Sequence, residues 1–288
     1  MAVTGAGSGI GRALSYAFAE RGASLALNDV NSAGVIETAE GVGARGQRAT
    51  YKVFDVTEAT EFRIFAQEVV AAHGGVDILV NNAGMFSRFA VFPELSAEEF
   101  GRCFAVNFLG VVNGSRAFLP YLLDRTDAWL INMSSSYGFA ATPLQSPYIA
   151  AKFAIRGFTD ALRYELLEST VHVMCVHPGG VKTNLIANAP AASEKERLRN
   201  AELQRSDSLA TPAHAAARII RGVEQGRARV IIGRDGHLFD ISSRLLPVGY
   251  QKLILPLLRR FEPRMLEAID KLARGSGRFP VTGPSPSG

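Results

Sequence analysis

The chain has 288 residues, 47% of them hydrophobic, 9% aromatic and 20% charged, which is ample for a sizeable core and unlike a disordered or fibrous composition. Two cysteines, Cys103 and Cys175, can build neither a disulfide framework nor a four-ligand zinc site, which fits a reducing cytoplasm; no window reaches roughly 18 uninterrupted apolar residues, and no signal-peptide pattern opens the chain. Residues 1–236 carry 23 charges of each sign and residues 237–288 carry eight basic against four acidic, so the net +4 is wholly C-terminal and no nucleic-acid-binding face is expected on the main fold.

The chain opens with a clipped apolar start, Met1-Ala2-Val3, that runs into Thr4-Gly5-Ala6-Gly7-Ser8-Gly9-Ile10-Gly11 and then helical spacing over 11–20. Glycines let a backbone approach a pyrophosphate, and a helix N-terminus offers free N–H groups and a positive dipole end. The spacing is G-x-x-x-G-x-G, not G-x-G-x-x-G, and alone it marks either a phosphate loop or only a tight turn. A strand over 24–27 leads to Asn28-Asp29. A carboxylate there can accept from ribose hydroxyls and would repel a 2′-phosphate, at ~4 kcal/mol per charge pair for ~4 Å and an effective dielectric of ~20. That favours NAD over NADP; the plain alternative is an Asp29 that caps a turn with Asn31-Ser32.

Helical spacing over 59–72, 97–123 and 146–167 alternates with apolar runs over 76–80, 129–133, 171–176 and 230–232. This βαβ rhythm predicts an α/β fold, a doubly wound parallel sheet of Rossmann type in a single domain with a helical C-terminal extension. The stretch 183–209 breaks the rhythm and falls where a lid could lie, and Thr211-Pro212 restarts order as a helix cap and first turn. The expected organisation is a catalytic domain over 1–235, a helical extension over 236–274 and a disordered Gly/Pro/Ser-rich tail over 275–288. In the extension, Tyr250, Leu253, Ile254, Leu257, Leu258 and Phe261 fall at helical spacing beside Lys252, Arg259 and Arg260, interrupted by Pro256. Such a stripe suits either peripheral contact with an anionic membrane or a helical hairpin packed over the substrate cleft or a neighbouring subunit.

Tyr148 and Lys152 stand one helical turn apart on a helix that Ser146 can cap and Pro147 can open, so phenol and ammonium share a face. Acid/base work near neutral pH requires the phenol pKa to fall from ~10 by ~3 units, which a close ammonium in a partly desolvated cleft can supply and a positive nicotinamide ring would add to. Ser134-Ser135-Ser136 follows the strand over 129–133, at the end where open α/β sheets bind ligands, and a hydroxyl there can donate to a substrate oxygen. Taken singly, the Tyr/Lys pair is commonplace and the serine triplet is a turn.

Together, Thr4 to Gly11, Asp29, Asp55-Val56-Thr57, Asn81-Asn82-Ala83-Gly84, Asn107, Ser135, Tyr148 with Lys152, and Pro178-Gly179-Gly180-Val181-Lys182-Thr183 resemble the short-chain dehydrogenase/reductase family over about residues 1–235. The resemblance implies that Tyr148 is the acid/base, that Ser135 binds the substrate oxygen, that Lys152 lowers the tyrosine pKa and holds the nicotinamide ribose, and that Asn107 holds a water in a proton relay. It implies cofactor contacts at Gly5, Ser8, Gly9, Ile10, Gly11, Asp29, Asp55 (adenine amino group), Val56, Asn82, Ala83, Gly84, Pro178, Gly179, and Val181 and Thr183 (carboxamide). By themselves, Asn107 would be a helix-kinking polar residue and Asp55 a helix cap. The chain departs from the family pattern in having only three residues before Thr4, from either a misassigned start or a very short first strand, and in its C-terminal extension.

The expected function is NAD-dependent hydride transfer to or from a secondary or allylic alcohol. Phe86, Phe139, Leu144, Leu185 and Ile186 suggest an apolar substrate of steroid, retinoid or long-chain alcohol class, or core and lid packing. The alternatives are an NADPH-dependent carbonyl reductase and a catalytically idle nucleotide-binding scaffold. A homodimer or homotetramer is implied by the resemblance, no metal is implied by the scattered histidines, and the location is cytoplasmic, with the membrane contact above as an addition.

Overall fold

The structure is a computed structural model that describes residues 1–204, 209–252, 255–256 and 269–270. The elements run β1 (Ala2–Thr4), α1 (Gly9–Ala19), β2 (Leu25–Asp29), α2 (Ser32–Gly43), β3 (Ala49–Val53), α3 (Ala59–His73), β4 (Ile78–Asn81), α4 (Ala97–Phe104), α5 (Gly110–Leu123), β5 (Ala128–Met133), α6 (Ser146–Glu165), β6 (Val171–Pro178), α7 (Asn184–Ala187), α8 (Glu194–Gln204), α9 (Pro212–Glu224), β7 (Arg229–Ile232) and α10 (Arg234–Leu245). Seven strands form one sheet in the order β3-β2-β1-β4-β5-β6-β7, every pair parallel. This is the expected doubly wound sheet.

Strand alternation feeds two cores. Val3, Leu27, Val80, Ile131 and Val176 face one side, against Leu14 and Phe18 of α1 and Ile219 and Ile220 of α9. Ala2, Ala26, Leu79, Leu130 and Val173 face the other, against Phe62 and Phe65 of α3, Phe118 of α5 and Leu162 of α6. Sheets covered on both faces read as apolar runs for this reason, and each fully buried Phe contributes about 2–3 kcal/mol. The edge strand β3 was not announced by any apolar run, because Thr50 and Lys52 interrupt it, while Tyr51 and Val53 face solvent. β1 is short, with three residues in register against β2 and two against β4.

The strand order reverses between β1 and β4, and open α/β sheets place ligands at the carboxyl ends beside such a switch. A buried amide ladder fixes this edge: Asn81 Nδ2 donates to Asn132 Oδ1 (2.9 Å) and to Ser115 Oγ of α5 (3.2 Å), and Asn132 Nδ2 donates to Thr159 Oγ1 of α6 (3.1 Å). The two long helices are thereby locked to the strands in depth and rotation.

The helical spacing over 97–123 is not one helix. Ser96 starts α4 with a capping box in which its side chain accepts from Glu99 N while the Glu99 carboxylate accepts from Ser96 N. A π-turn, Ala105–Leu109, then joins α4 to α5. The segment 183–209 holds α7 and α8. In the extension, α10 starts at Arg234, and Tyr250 is buried against Ala140 and Phe239, so the first residue of the apolar stripe faces inward. Leu253, Ile254, Leu257, Leu258, Arg259, Arg260, Phe261 and the tail over 275–288 lie outside the described residues.

Candidate active site

The glycine-rich loop leaves β1 and is pinned to β4. Thr4 Oγ1 accepts from Asn82 N and Ala83 N (both 3.0 Å), and Asn82 Nδ2 donates to Thr4 O (2.9 Å) and Gly5 O (3.1 Å). Asn82 therefore shapes the loop. Gly5 (φ +62°) and Gly9 (φ +54°) hold left-handed backbone that side chains rarely adopt, and a Cβ on Gly11 would lie 2.2 Å from Gly5 O. Ser8 makes no side-chain cap on α1, so the opening amides around Gly9 and Ile10 have no capping acceptor. A bare helix N-terminus at the switch point fits a pyrophosphate.

At the end of β2, Asp29 Oδ2 accepts from Gly7 N (2.8 Å) and Oδ1 from Asn31 N (2.9 Å). The turn that the plain reading expected is present, and so is a tie to the glycine loop. A carboxylate has about four acceptor positions, which leaves two for a ligand's hydroxyls. The next residue, Val30, is exposed and uncharged. Asp55, after β3, accepts at Oδ1 from Thr57 N (2.9 Å) and Thr57 Oγ1 (2.8 Å), and at Oδ2 from the Arg102 guanidinium of α4. Burial alone would raise the Asp55 pKa, but Arg102 and Thr57 hold it below the ordinary range. Arg102 gave no signal in the sequence. Val56 is buried in the core on the α3, α5 and α6 side of the sheet.

Asn107 sits in the π-turn, fully buried, and π-turns inside helices recur at functional sites. Its Nδ2 donates to Met85 O and Cys103 O, both at 2.8 Å, while its Oδ1 has no partner. That oxygen faces Gly84 and the Lys152 ammonium: a Cβ on Gly84 would stand 2.8 Å from it and 3.6 Å from Lys152 Nζ. An unpartnered buried acceptor beside a buried ammonium fits a bound water.

On α6, Tyr148 and Lys152 are both buried. Lys152 Nζ donates to Met133 O (3.0 Å) and lies 5.2 Å from the centroid of the Tyr148 ring; burial lowers its pKa to about 8. Burial also raises the Tyr148 pKa above its ordinary value, opposed by a hydrogen bond with the Ser135 side chain. The expected depression of the phenol by Lys152 alone is therefore not what this geometry delivers. Ser135 lies two residues past β5 and caps a 3₁₀ turn, with Oγ accepting from Tyr137 N (3.2 Å) and donating to Pro178 O (3.4 Å). Its neighbour Ser134 ties the two elements together by donating to Lys152 O (2.8 Å).

The loop after β6 closes the arrangement. Thr183 caps α7 and touches α1's start: a Cβ on Gly9 would meet the Thr183 methyl at 3.0 Å. Val181 is buried. Asp235, in the first turn of α10, accepts from Gly180 N (2.7 Å) and approaches so closely that a Cβ on Gly179 would be 2.2 Å from its Oδ1. Sequence reasoning missed Asp235, whose only local signal was a run of glycines opposite it. Around the phenol, Phe86 packs on the Tyr148 ring (centroids 4.2 Å apart), with Leu185, Ile186 and Ala189 in the same cluster. Phe139 instead stacks on His177, and Leu144 is buried with a left-handed backbone (φ +70°). Among the described residues no group of side chains could hold a metal ion.

A family model described as short chain dehydrogenase matches residues 1–194. SadH of Mycobacterium tuberculosis, named as an oxidoreductase, is 40% identical over 264 residues, covering 91% of this chain and 95% of its own. Among solved structures, a short chain dehydrogenase/reductase from Burkholderia phymatum in complex with NAD superposes with TM-score 0.74 at 27% identity, over 80% of this chain and 87% of that one. An alcohol dehydrogenase from Thermococcus sibiricus complexed with 5-hydroxy-NADP gives TM-score 0.69 at 26% identity, over 80% and 94%.

Proposed function

The chain belongs to the short-chain dehydrogenase family of oxidoreductases, and from that premise we propose that it transfers hydride between NAD(H) and an apolar secondary or allylic alcohol or its carbonyl. The observation that carries the reading is the buried convergence of the Tyr148 phenol, the Ser135 hydroxyl and the Lys152 ammonium at the carboxyl edge of the sheet. The nicotinamide cofactor, when bound, supplies the hydride acceptor or donor. Everything else falls to the chain. Ser135 holds the substrate oxygen, and Tyr148 takes the alcohol proton during oxidation or returns it during reduction.

Burial works against the phenolate, so positive charge must offset it. With a pKa of about 8, Lys152 is largely charged at pH 7, and a unit charge ~5 Å away is worth ~3 kcal/mol at an effective dielectric of ~20. Asn107 Oδ1 holds a water against that ammonium and opens a proton path from Tyr148 to solvent. The opening amides of α1 take the pyrophosphate, the free acceptor positions of Asp29 take the ribose hydroxyls, and the negative charge of Asp29, with uncharged Val30 after it, selects NAD. Gly84, Val181 and Thr183 flank the nicotinamide end. Phe86, Leu185, Ile186 and Ala189 give the substrate side its apolar character.

Residues 1–235 form the catalytic unit, and the described part of the extension, α10 and Tyr250, packs against the loops beside the phenol. Exposed Leu109 of the π-turn, Leu123 of α5, and Phe153 and Tyr164 of α6 support a homodimer or homotetramer through those elements. No helix among the described residues is long and apolar enough to cross a membrane.

The test is twofold. Titration of the purified protein with NADH and NADPH should give the tighter dissociation constant for NADH. Tyr148→Phe should abolish NAD-coupled turnover across a panel of secondary and allylic alcohols while leaving the NADH dissociation constant within about threefold; unchanged turnover would sink the assignment.

A further inference from the structure

One fully buried titratable group has no part in that chemistry. His177 is the penultimate residue of β6, fully buried and just before Pro178 and the Gly179-Gly180 loop. β5 and β6 pair in register up to Met133 and Val176, and Ser134 N donates to Val176 O (2.8 Å). Past that point the strands part, and the Ser135 carbonyl accepts from Gly138 N of the following 3₁₀ turn (2.9 Å) with no backbone bond to β6. His177 supplies the link to β6 on that oxygen: its Nδ1 lies 3.0 Å from Ser135 O. Since a carbonyl only accepts, Nδ1 carries the hydrogen and the ring is the Nδ1–H tautomer.

Two further features hold that ring in place. Phe139, from the same loop as Ser135, stacks on it with centroids 4.0 Å apart, and the Arg156 and Arg229 guanidiniums lie 5.2 and 5.5 Å from the Phe139 centroid. Nε2 has no partner, so protonation would bury a cation with an unpaired N–H near two arginines, and burial lowers the pKa to about 4. The ring therefore stays neutral near pH 7. Consecutive residues of β6 then grip the serine: Val176 O takes Ser134 N, His177 Nδ1 holds Ser135 O, and Pro178 O receives Ser135 Oγ.

We propose that His177 is a positioning residue that fixes the backbone of Ser135 through an Nδ1–H hydrogen bond to its carbonyl, and so aims the Ser135 hydroxyl between Pro178 O and the Tyr148 phenol. It rests on the role proposed above for Ser135. The hydroxyl must be placed within a few tenths of an ångström of the substrate oxygen, and misplacement by ~1 Å can cost ~100-fold in rate.

The experiment compares His177→Leu, which removes the donor, with His177→Asn, whose Nδ2 occupies the topological place of Nδ1. Both are made in the wild-type and Ser135→Ala backgrounds. Readouts are kcat with the alcohol that turns over fastest in the panel, by single turnover where rates are low, and the NADH dissociation constant. His177→Leu should lower kcat at least tenfold with the NADH constant within twofold, and His177→Asn should recover most of the loss. On Ser135→Ala, His177→Leu should change the residual rate less than twofold, because its target is gone. A kcat for His177→Leu within twofold of wild type overturns the proposal, as do equal losses for Leu and Asn or a further tenfold loss on Ser135→Ala. If His177→Leu fails to fold, His177→Gln replaces it, its amide being one bond too far out; Asn and Gln of equal activity then overturn the proposal. A Ser135→Ala variant as active as wild type would instead overturn the role of Ser135 itself.

Discussion

Asn107 Oδ1 faces the backbone of Gly84, so that a Cβ on Gly84 would lie 2.8 Å from that oxygen and 3.6 Å from Lys152 Nζ. The π-turn holds Asn107 with both amide hydrogens committed to carbonyls at 2.8 Å, so the carboxamide cannot swing away cheaply. Gly84→Ala should displace Asn107 and fill the space assigned to the relay water. Turnover should fall about 10- to 100-fold, with a stability loss of only about 1–2 kcal/mol. Steady-state kinetics beside thermal melts separate the two; a variant that loses stability but keeps its rate would remove Asn107 from the proton path.

Lys152 should cost stability in exchange for function. Burial holds its pKa at about 8 against an ordinary 10.5, so between those values the unfolded chain binds more protons than the folded one and stability rises with pH. The penalty is fully present below pH 8 and gone above about 10.5. It amounts to about 3 kcal/mol, less about 1 kcal/mol that a replacement loses by leaving Met133 O without its donor. Lys152→Met should therefore raise stability at pH 7 by about 2 kcal/mol, lose that advantage by pH 10.5, and lack turnover. Melting of both proteins at pH 7 and pH 10.5 checks the sign, and a variant less stable than wild type at pH 7 contradicts it.

The motifs were legible in the sequence because each is local: a glycine turn before α1, a Tyr and Lys one turn apart, serines at a strand end. Strands buried on both faces were legible from their apolar runs. Edge strand β3 was not, since Thr50 and Lys52 alternate with Tyr51 and Val53 and leave no apolar run to recognise. The apolar spacing continues through Ala105–Leu109, so the π-turn that aims Asn107 was invisible, and Asp235 and His177 take their meaning from backbone brought near by folding. The drop expected in the tyrosine pKa followed from pairing Tyr148 with Lys152 in a partly desolvated cleft, whereas full burial of the phenol acts the other way and is the larger effect.

Asp29 joins cofactor choice to loop architecture, because its carboxylate also receives the Gly7 and Asn31 amides. Asp29→Ala leaves the buried Gly7 N–H without an acceptor, at about 1–3 kcal/mol. Removing the negative charge should weaken NADH binding about tenfold while leaving NADPH binding equal or tighter, so the ratio of dissociation constants should fall more than tenfold. Asp29→Asn, which keeps one acceptor oxygen, should recover part of the stability but not the selectivity. An unchanged ratio in both variants would detach Asp29 from cofactor choice.

Asp235 ties the extension to the loop carrying Val181 and Thr183. The carboxylate accepts from Gly180 N at 2.7 Å, while the same helix presents Phe239 to Tyr137 (ring centroids 6.1 Å apart), and the Tyr250 hydroxyl just beyond it accepts from Ala141 N (2.9 Å). One segment thus braces the loops on both sides of the phenol. The hydrogen bond to Gly180 is exposed and worth about 1 kcal/mol to the fold, so Asp235→Ala should barely move the melting temperature. Its effect should fall on the loop it organises, with NADH binding several-fold weaker, and Asp235→Asn, which retains an acceptor, should bind NADH nearly as wild type does. A fluorescence titration of the three proteins decides it: equal dissociation constants would mean that the loop keeps its shape without α10, and the extension would then bear only on the substrate side of the cleft.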